Sequence, residues 1–112
     1  MESKRQERIS KLLQKDLGEI FQTQMQHLAM RSMVTVTKVY ISPDLSSAKV
    51  YLSLFATKKQ QQIVDNIRKH TSEIRKEVGN RVRHQLRVVP SLSFYLDDSL
   101  DYIENIDSLL KD

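Results

Sequence analysis

Apolar residues near the start of the chain recur every three or four positions and predict a long amphipathic helix from about Ser3 to Gln26. Ser3 is a suitable N-cap, and Gln6 stands where the second partner of a capping box would be. Gly18 interrupts the pattern at a cost of about 1 kcal/mol relative to alanine, but the periodicity continues past it. The recurring apolar positions are Ile9, Leu12, Leu13, Leu17, Ile20 and Phe21.

Two strands are predicted next. Residues 33–42 (MVTVTKVYIS) are dense in β-branched and aromatic side chains, and residues 48–55 (AKVYLSLF) alternate between apolar and polar. Between them, Pro43 sets the backbone for a turn whose Asp and Ser side chains can bond its N–H groups. The two strands should therefore form an antiparallel hairpin.

The open face of this hairpin is predicted to carry cations beside aromatic rings. Lys38 and Lys49 alternate there with Tyr40 and Tyr51. Such rings can stack on nucleic-acid bases. Strand tyrosines more commonly pack against their neighbours, and the sequence favours that interpretation here.

The second half of the chain returns to helical spacing. A helix is predicted from Lys58 to about Lys69, and another runs to about Arg87, with Thr71 or Ser72 as its cap. Val88-Val89-Pro90 ends that helix, and Ser91–Leu96 alternates as a third strand. Asp97, Asp98 and Ser99 then supply acids and a cap for a last helix, in which Leu100, Ile103, Ile106, Leu109 and Leu110 recur.

The resulting order of helix, strand, strand, helix, helix, strand, helix predicts an α+β fold. The two-helix connection between the second and third strands should make those strands parallel and the crossover right-handed. One three-stranded mixed sheet would then be covered by helices on one face. At 112 residues, without repeats or linkers, the chain is predicted to form a single domain over residues 1–112.

The most basic part of the chain is the stretch from Arg68 to Arg87, which holds seven Lys or Arg residues and two acids. On a helix, Ile74, Val78, Val82 and Leu86 would form a row facing the core, and Lys76, Asn80, Arg83 and Arg87 would lie on the opposite face. A solvated surface helix would show the same pattern. Arginine outnumbers lysine five to two, however, and its planar guanidinium suits phosphate and base stacking.

Charge is divided unevenly along the chain. Residues 1–96 hold 17 Lys or Arg and 8 Asp or Glu, a net charge of +9, whereas residues 97–112 have a net charge of −5. A basic body of this kind is suited to a polyanion such as RNA. The split also suggests the hypothesis that the acidic tail shields the basic face until RNA arrives.

Several functional classes find no support in the sequence. There is no cysteine, which excludes disulfides and thiolate sites, and the three histidines have no metal-site spacing. No segment resembles a signal peptide or a membrane span, so a soluble cytoplasmic protein is expected. No catalytic, metal or cofactor site is therefore predicted, and no small-molecule substrate.

The order of elements and a set of local motifs are similar to those of one family, ribosome-binding factor A, whose fold is the type II K-homology fold. The hairpin resembles the family's Ser-Pro-Asp-Leu turn followed by an Ala-Lys-Val-Tyr strand, at Ser42–Leu45 and Ala48–Tyr51. The basic helix resembles its arginine-rich helix at Ile74, Arg75, Gly79, Arg81, Arg83, Leu86 and Arg87. The ending resembles the family at Val89, Pro90, Leu92, Phe94, Asp97, Asp98 and Ser99, and at Ile106 to Leu110.

This resemblance implies a non-enzymatic assembly factor, monomeric and without a cofactor, that binds the free small (30S) ribosomal subunit and its 16S rRNA. Such factors assist late 16S rRNA maturation near the 5′ end and often matter for growth in the cold. The residues expected to bind RNA are Arg5, Arg8, Lys49, Arg68, Lys69, His70, Thr71, Ser72, Arg75, Lys76, Arg83 and Arg87.

Two departures from the family pattern concern the expected RNA face. His70-Thr71-Ser72 stands where the family has an Ala-x-Gly kink, and the Gly-x-x-Gly loop of most K-homology domains is absent. Gln26-His27-Leu28-Ala29 replaces the family's Asp-Pro-Arg after the first helix. A protein-interaction module, and a K-homology-like domain for another RNA, are the alternative functions.

Overall fold

The computed structural model describes residues 3–29, 32–55 and 57–97. The elements in chain order are α1 (Lys4–Thr23), a single 3-10 turn (Gln26–Ala29), β1 (Met33–Ile41), β2 (Ser47–Phe55), α2 (Gln60–Lys69), α3 (Thr71–Val82) and β3 (Ser91–Leu96). Every element predicted up to residue 97 is present. The last predicted helix, which would begin after Ser99, lies outside the described residues.

The strands form one mixed sheet in the order β1-β2-β3. β1 and β2 are antiparallel, with Ile41 opposite Ala48, and β2 and β3 are parallel, with Val50 opposite Phe94. The predicted mixed sheet and its parallel crossover are therefore confirmed. This α-β-β-α-α-β arrangement is the type II K-homology fold.

A β-bulge in β1 changes which residues face the core. The register shifts between Val36 and Lys38, so Thr37 is the extra residue. The Gln14 side chain of α1 donates to the carbonyls of Val36 (3.1 Å) and Thr37 (3.3 Å) at this irregularity. Val36 faces the core before the bulge and Val39 after it, which leaves Lys38 on the open face of the sheet.

The start of α1 is fixed as the sequence predicts. The Ser3 hydroxyl accepts a hydrogen bond from the Gln6 amide (3.1 Å), and the Gln6 side chain accepts one from the Ser3 amide (2.8 Å). The Gln6 side-chain amide also donates to the Ile41 carbonyl (3.0 Å), which ties the helix start to the end of β1. The capping box is confirmed, although the helix ends at Thr23 rather than at Gln26.

One core fills the space between the three helices and one face of the sheet. Leu13 and Leu17 of α1, Val50 of β2 and Ile67 of α2 are fully buried in it. Burying a Leu, Ile or Val side chain contributes about 1.5–3 kcal/mol relative to leaving it exposed, so this aliphatic core is the main source of stability.

The predicted end of α3 is wrong by five residues. Ile74, Val78 and Val82 are fully buried as predicted, but the helix stops at Val82. The Val82 carbonyl accepts hydrogen bonds from the amides of Gln85 (2.8 Å) and Leu86 (2.9 Å), which closes the final turn. The chain then runs to Pro90, whose ring disfavours helix in the residue before it. Leu86 is consequently only half-buried, at the margin of the core.

The junction between α2 and α3 is a single residue, His70. The predicted capping by Thr71 or Ser72 is wrong, because both residues already lie in the first turn of α3. The Thr71 hydroxyl donates instead to the Arg68 carbonyl (2.7 Å) in the last turn of α2. His70 Nδ1 lies 2.9 Å from the Asn66 carbonyl oxygen, so its proton is assigned to Nδ1.

The turn between β1 and β2 is held by the side chains that the sequence singles out. The Asp44 carboxylate accepts hydrogen bonds from the Ser42 hydroxyl (2.7 Å), the Ser46 hydroxyl (2.7 Å) and the Ser46 amide (3.1 Å). Leu45 adopts a left-handed backbone conformation, with φ of 63°, to complete the turn. These bonds stabilise the charged carboxylate and lower the pKa of Asp44 to about 2.

We expect a carboxyl titration followed by NMR to place the midpoint for Asp44 near pH 2. Because the folded-state pKa is depressed below the ordinary value of 3.8, the turn's contribution to stability is complete above that pH and is lost as pH falls towards 2. Ser42→Ala removes the largest cause of the shift and should move the midpoint upward. An Asp44 midpoint near 4 in the unmodified protein would contradict this geometry.

Candidate nucleic-acid interface

A cleft of about 630 Å³ opens where the first half of α3 faces the 83–90 loop and the start of β3. Its helical wall carries Arg75 and Lys76, and its loop wall carries Arg87 and Val88. None of the cleft-lining residues within the described ranges is Asp or Glu. The complete lining is Thr71, Ser72, Arg75, Lys76, Gly79, Arg87, Val88, Val89, Ser91 and Leu92. We call this cleft the main cleft, and its lining makes it a basic cleft. It can bind an anionic chain without a repulsive carboxylate inside it.

Arg75 connects the two walls of the cleft. Its Nη2 donates to the Val89 carbonyl (2.6 Å) and its Nε donates to the Pro90 carbonyl (3.3 Å). A guanidinium has five N–H donors, so these two bonds leave others for a ligand. The guanidinium is thus held in place before any ligand binds, which reduces the entropy lost on binding.

Gly79 allows the loop to approach α3 closely. A Cβ atom at this position would lie 3.2 Å from Val89 Cγ2, tighter than ordinary van der Waals contact. Gly79 therefore marks close packing between the loop and α3. Gly79 and Val89 both line the cleft.

The N-terminus of α3 contributes a partial positive charge to the same cleft. Thr71 and Ser72 lie in the first turn, and no side chain of the described residues caps this end of the helix. The unpaired N–H groups and dipole of a helix N-terminus favour phosphate. Side chains and the helix backbone therefore both contribute positive charge to this cleft.

The structure brings together five of the predicted RNA-binding residues. Thr71, Ser72, Arg75, Lys76 and Arg87 all line the cleft. Arg87 also lines a smaller cleft of about 140 Å³ together with Arg5 of α1, which brings Arg5 within reach of the same surface. Arg8 is exposed on α1 and lines neither of these two clefts.

Arg68 lies beside the main cleft, in a neighbouring one. It lines a neighbouring cleft of about 300 Å³ that shares Thr71 and Leu92 with the first. Its Nε donates to the Phe94 carbonyl (3.0 Å), and its Nη1 lies 3.5 Å from the Asp65 carboxylate. Arg68 is thus positioned between the main cleft and the open face of the sheet.

The remaining predicted residues lie away from the main cleft. Lys69 is exposed at the end of α2, and His70 is half-buried at the junction. Lys49 lies on the open face of the sheet, opposite Tyr40. The predicted common face for Lys76, Arg83 and Arg87 is wrong, because α3 ends at Val82. Arg83 follows the helix, outside the main cleft, and Arg87 reaches it from the loop.

Arg81, which belongs to the same arginine-rich segment, makes structural ion pairs instead. Its Nη1 lies 2.5 Å from the Glu19 carboxylate and 3.8 Å from the Asp16 carboxylate, so it joins α3 to α1. Burial raises the pKa of Asp16, and the Arg81 charge opposes that rise. The sequence does not distinguish this arginine from the cleft residues, because the distinction depends on where α1 packs.

We expect Arg81→Gln to lower the free energy of unfolding by only about 0.5–1 kcal/mol, since both partners are partly solvated. The pKa of Asp16 should rise further above 3.8. A folded-state pKa above the unfolded value contributes stability at low pH that is lost as pH rises through the folded pKa. Denaturant unfolding of both proteins at pH 3 and pH 7 should therefore show a larger difference at pH 7, and an equal difference would contradict this assignment.

Features typical of metalloproteins and of membrane proteins are not found in the described part of the chain. Over residues 3–29, 32–55 and 57–97, no group of three or more His, Asp or Glu side chains is placed to hold a metal ion. Among the helices of that part of the chain, none is both long and apolar enough to cross a membrane.

Comparison with known proteins gives one consistent match. The family model described as "Ribosome-binding factor A" matches residues 5–110. The relative of that name from Christiangramia forsetii is 43% identical over 111 residues, covering 98% of this chain and 85% of the relative. The relative of the same name from Flavobacterium johnsoniae is 44% identical over 111 residues, with the same coverage.

Solved structures agree on the fold. The crystal structure of ribosome-binding factor A from Thermus thermophilus superposes with a TM-score of 0.68, at 21% identity, over 81% of this chain and 94% of that one. A Thermus thermophilus ribosome-binding factor A model fitted into a cryo-EM map of its 30S complex gives a TM-score of 0.64, at 22% identity, over 80% of this chain and 91% of that one.

Proposed function

The chain belongs to the ribosome-binding factor A family, and from this membership we propose that it binds the free small (30S) ribosomal subunit through 16S rRNA and assists late maturation of that RNA near its 5′ end. The match over residues 5–110 supports a shared role, because it includes every residue that lines the basic cleft. The Thermus thermophilus relative fitted into a 30S complex supports the small subunit as the partner.

The observation that carries this proposal is the cleft without acidic side chains beside α3. Phosphate contacts supply most of the sequence-independent affinity of proteins for RNA. Lys76 and Arg87 line the cleft from α3 and from the loop, and Arg75 lines it too, already bonded to the loop. A phosphate at the start of α3 would accept hydrogen bonds from the helix N-terminus and from these cations together.

In this proposal, the segment His70-Thr71-Ser72 replaces the glycine-rich loop by which most K-homology domains bring their backbone close to RNA. Thr71 turns its hydroxyl toward the Arg68 carbonyl, away from the N-terminal N–H groups of α3. Ser72 is exposed and lines the cleft, where its hydroxyl can bond a phosphate or a ribose 2′-hydroxyl. The backbone turn that glycine provides elsewhere is made here by the non-helical conformation of His70 (φ −108°, ψ 20°).

The proposed factor acts by binding alone, as a cytoplasmic monomer without a cofactor. It would hold 16S rRNA segments near the maturing 5′ end in a conformation that processing enzymes can cleave.

Cells that lack the protein should accumulate 16S rRNA precursors with extended 5′ ends, and their growth defect should be larger in the cold. Normal 5′ ends in such cells would contradict a role in maturation while leaving subunit binding open.

Subunit binding is tested by sedimenting the purified protein with isolated small and large ribosomal subunits over a series of salt concentrations. We expect selective pelleting with the small subunit, lost as salt rises and lost after nuclease digestion of the rRNA. Equal pelleting with both subunits would indicate a general RNA-binding domain. Pelleting that survives digestion of the rRNA would favour the protein-interaction module instead.

A further inference from the structure

Three tyrosines lie in a row on the sheet face opposite the helices. Tyr40 of β1 and Tyr51 of β2 meet edge to face, with ring centroids 5.7 Å apart. Tyr51 and Tyr95 of β3 are stacked, with centroids 5.5 Å apart and planes 30° from parallel. The interpretation that strand tyrosines pack with their neighbours is confirmed, yet Tyr40 and Tyr95 keep 47% and 37% of their surface exposed.

Cations surround this row of rings, which we call the tyrosine face (Lys38, Tyr40, Lys49, Tyr51, Arg68 and Tyr95). Lys38 pairs across the strands with Tyr51, and Lys49 pairs with Tyr40. The Arg68 guanidinium lies over the Tyr95 ring at 5.8 Å from its centroid, a cation–π contact. Over the described strands, no outward position on this face is acidic. Asp97, just beyond β3, is buried and accepts a hydrogen bond from Thr37.

The tyrosine face is continuous with the basic cleft. Tyr95 and Arg68 line the 300 Å³ cleft together with Thr71. Thr71 also lines the main cleft with Arg75 and Lys76. A chain bound along α3 can therefore pass Arg68 and reach the sheet. The residues that line these two clefts include no Asp or Glu, and the acidic side chain beside this path is Asp65, which pairs with Arg68 at 3.5 Å.

We propose that the tyrosine face is a second RNA-binding surface, which stacks unpaired bases on Tyr40 and Tyr95 while Lys38, Lys49 and Arg68 contact the flanking phosphates. Single-stranded nucleic acid is bound in this way elsewhere, by aromatic side chains that accept any base and cations that follow the backbone. The inference rests on the proposed function for the source of the RNA and adds a base-contacting surface to it.

The composition of the face favours RNA over a protein partner. The cores of protein interfaces are enriched in tyrosine and arginine but depleted in lysine and serine. Here the residues directly beside the rings are Lys38, Lys49 and Ser93. A duplex would also be a poor ligand, because its bases are already stacked on one another, so the proposed ligand is an unpaired segment.

The first experiment measures anisotropy of a labelled twelve-nucleotide oligouridylate, with a hairpin of the same length as the duplex control. Tyr40→Leu with Tyr95→Leu keeps apolar bulk but removes both rings. This double variant should bind the oligouridylate roughly ten- to a hundredfold more weakly. Its salt dependence should not change, because stacking releases no counterions. Tyr40→Phe with Tyr95→Phe should bind like the unmodified protein.

Intrinsic fluorescence provides a second readout. The chain has no tryptophan and four tyrosines, three of which belong to this face. Saturating oligouridylate should quench most of the tyrosine emission, and the hairpin should quench little. The proposal would be overturned if the leucine variant bound the oligouridylate as tightly as the unmodified protein. It would also be overturned if the phenylalanine variant lost as much affinity as the leucine variant.

Failure here can be distinguished from failure of the proposed function. If leucine and phenylalanine variants pellet equally with small subunits and bind the oligouridylate equally, the stacking surface is refuted while subunit binding stands. If the unmodified protein pellets with neither subunit, the ribosomal role fails, and the oligouridylate comparison still decides whether the rings stack bases. The stacking proposal would also be overturned if the tyrosine face bound a protein, or the chain's own residues 98–112, tightly while RNA did not quench the tyrosine emission.

Discussion

Replacing both Lys76 and Arg87 with glutamate should weaken binding to the small subunit by at least about 100-fold at low salt, with the fold unchanged. Hydrogen bonds to charged groups contribute about 1.5–3 kcal/mol each, and reversal adds repulsion to the loss of two such contacts. Both side chains are exposed, and neither belongs to the buried row of α3. Fluorescence titration with isolated subunits measures the affinity, and circular dichroism measures the fold.

The salt dependence gives a second test of the same pair. Lys76→Gln with Arg87→Gln removes two phosphate contacts without introducing repulsion. The slope of log affinity against log salt should become shallower by roughly 1.4 to 1.8. Lys58→Glu with Lys59→Glu is the matched control, because it makes the same change of charge at the far end of α2. Equal losses of affinity in the two glutamate variants would show that net charge, not the cleft, determines binding.

Val78→Asp should abolish the folded domain. Val78 is fully buried in the middle of the α3 row, between Ile74 and Val82. A carboxylate there would lose its hydration without a partner among the apolar side chains, and penalties of this kind exceed about 4 kcal/mol. Domains of this size have only about 5–15 kcal/mol of total stability. Thermal melting followed by circular dichroism should show no cooperative transition, and RNA binding should be lost with it.

The control for this variant is Val88→Asp, which introduces the same side chain at a residue that is 70% exposed in the cleft loop. It should melt within a few degrees of the unmodified protein while weakening RNA binding moderately, because it places a negative charge in the cleft. A cooperative melt for Val78→Asp at the unmodified temperature would contradict the position of α3 in the core.

Most of the fold could be predicted from the sequence because its signals are local. The capping residues Ser3 and Gln6 and the turn residues around Asp44 act through neighbours within five positions, and the structure shows those bonds. The bulge also leaves a trace, because the apolar positions of β1 change from even numbers at Val36 to odd numbers at Val39. Because of this change, Lys38 and Tyr40 lie on the open face of the sheet.

The end of α3 could not be predicted with the same method. Helical spacing continues to Leu86, yet the helix stops at Val82 because the loop must return to Pro90 and the start of β3. Tertiary packing therefore overrides a favourable local pattern. The cleft depends on this early stop, since the loop after Val82 supplies Arg87 and Val88 to the lining that α3 shares through Lys76.

The different contacts made by the arginines are likewise determined by tertiary structure. Arg68, Arg75 and Arg81 have the same chemistry in the sequence. In the fold, Arg75 donates to the Val89 carbonyl, Arg81 pairs with Glu19, and Arg68 lies over Tyr95. Charge counting predicts the basic segment, but only the packing of α1, β3 and the loop assigns each guanidinium its partner.

Site-specific crosslinking tests most directly whether the cleft beside α3 contacts 16S rRNA. The chain contains no cysteine, so Ser72→Cys provides a unique thiol for a photoactivatable probe at the exposed edge of the cleft. Lys58→Cys provides the control at the far end of α2. On isolated small subunits, we predict that the probe at position 72 crosslinks to 16S rRNA and the probe at position 58 does so far less. Crosslinks from position 72 to ribosomal protein alone, or equal rRNA crosslinking from both positions, would contradict an rRNA contact at this cleft.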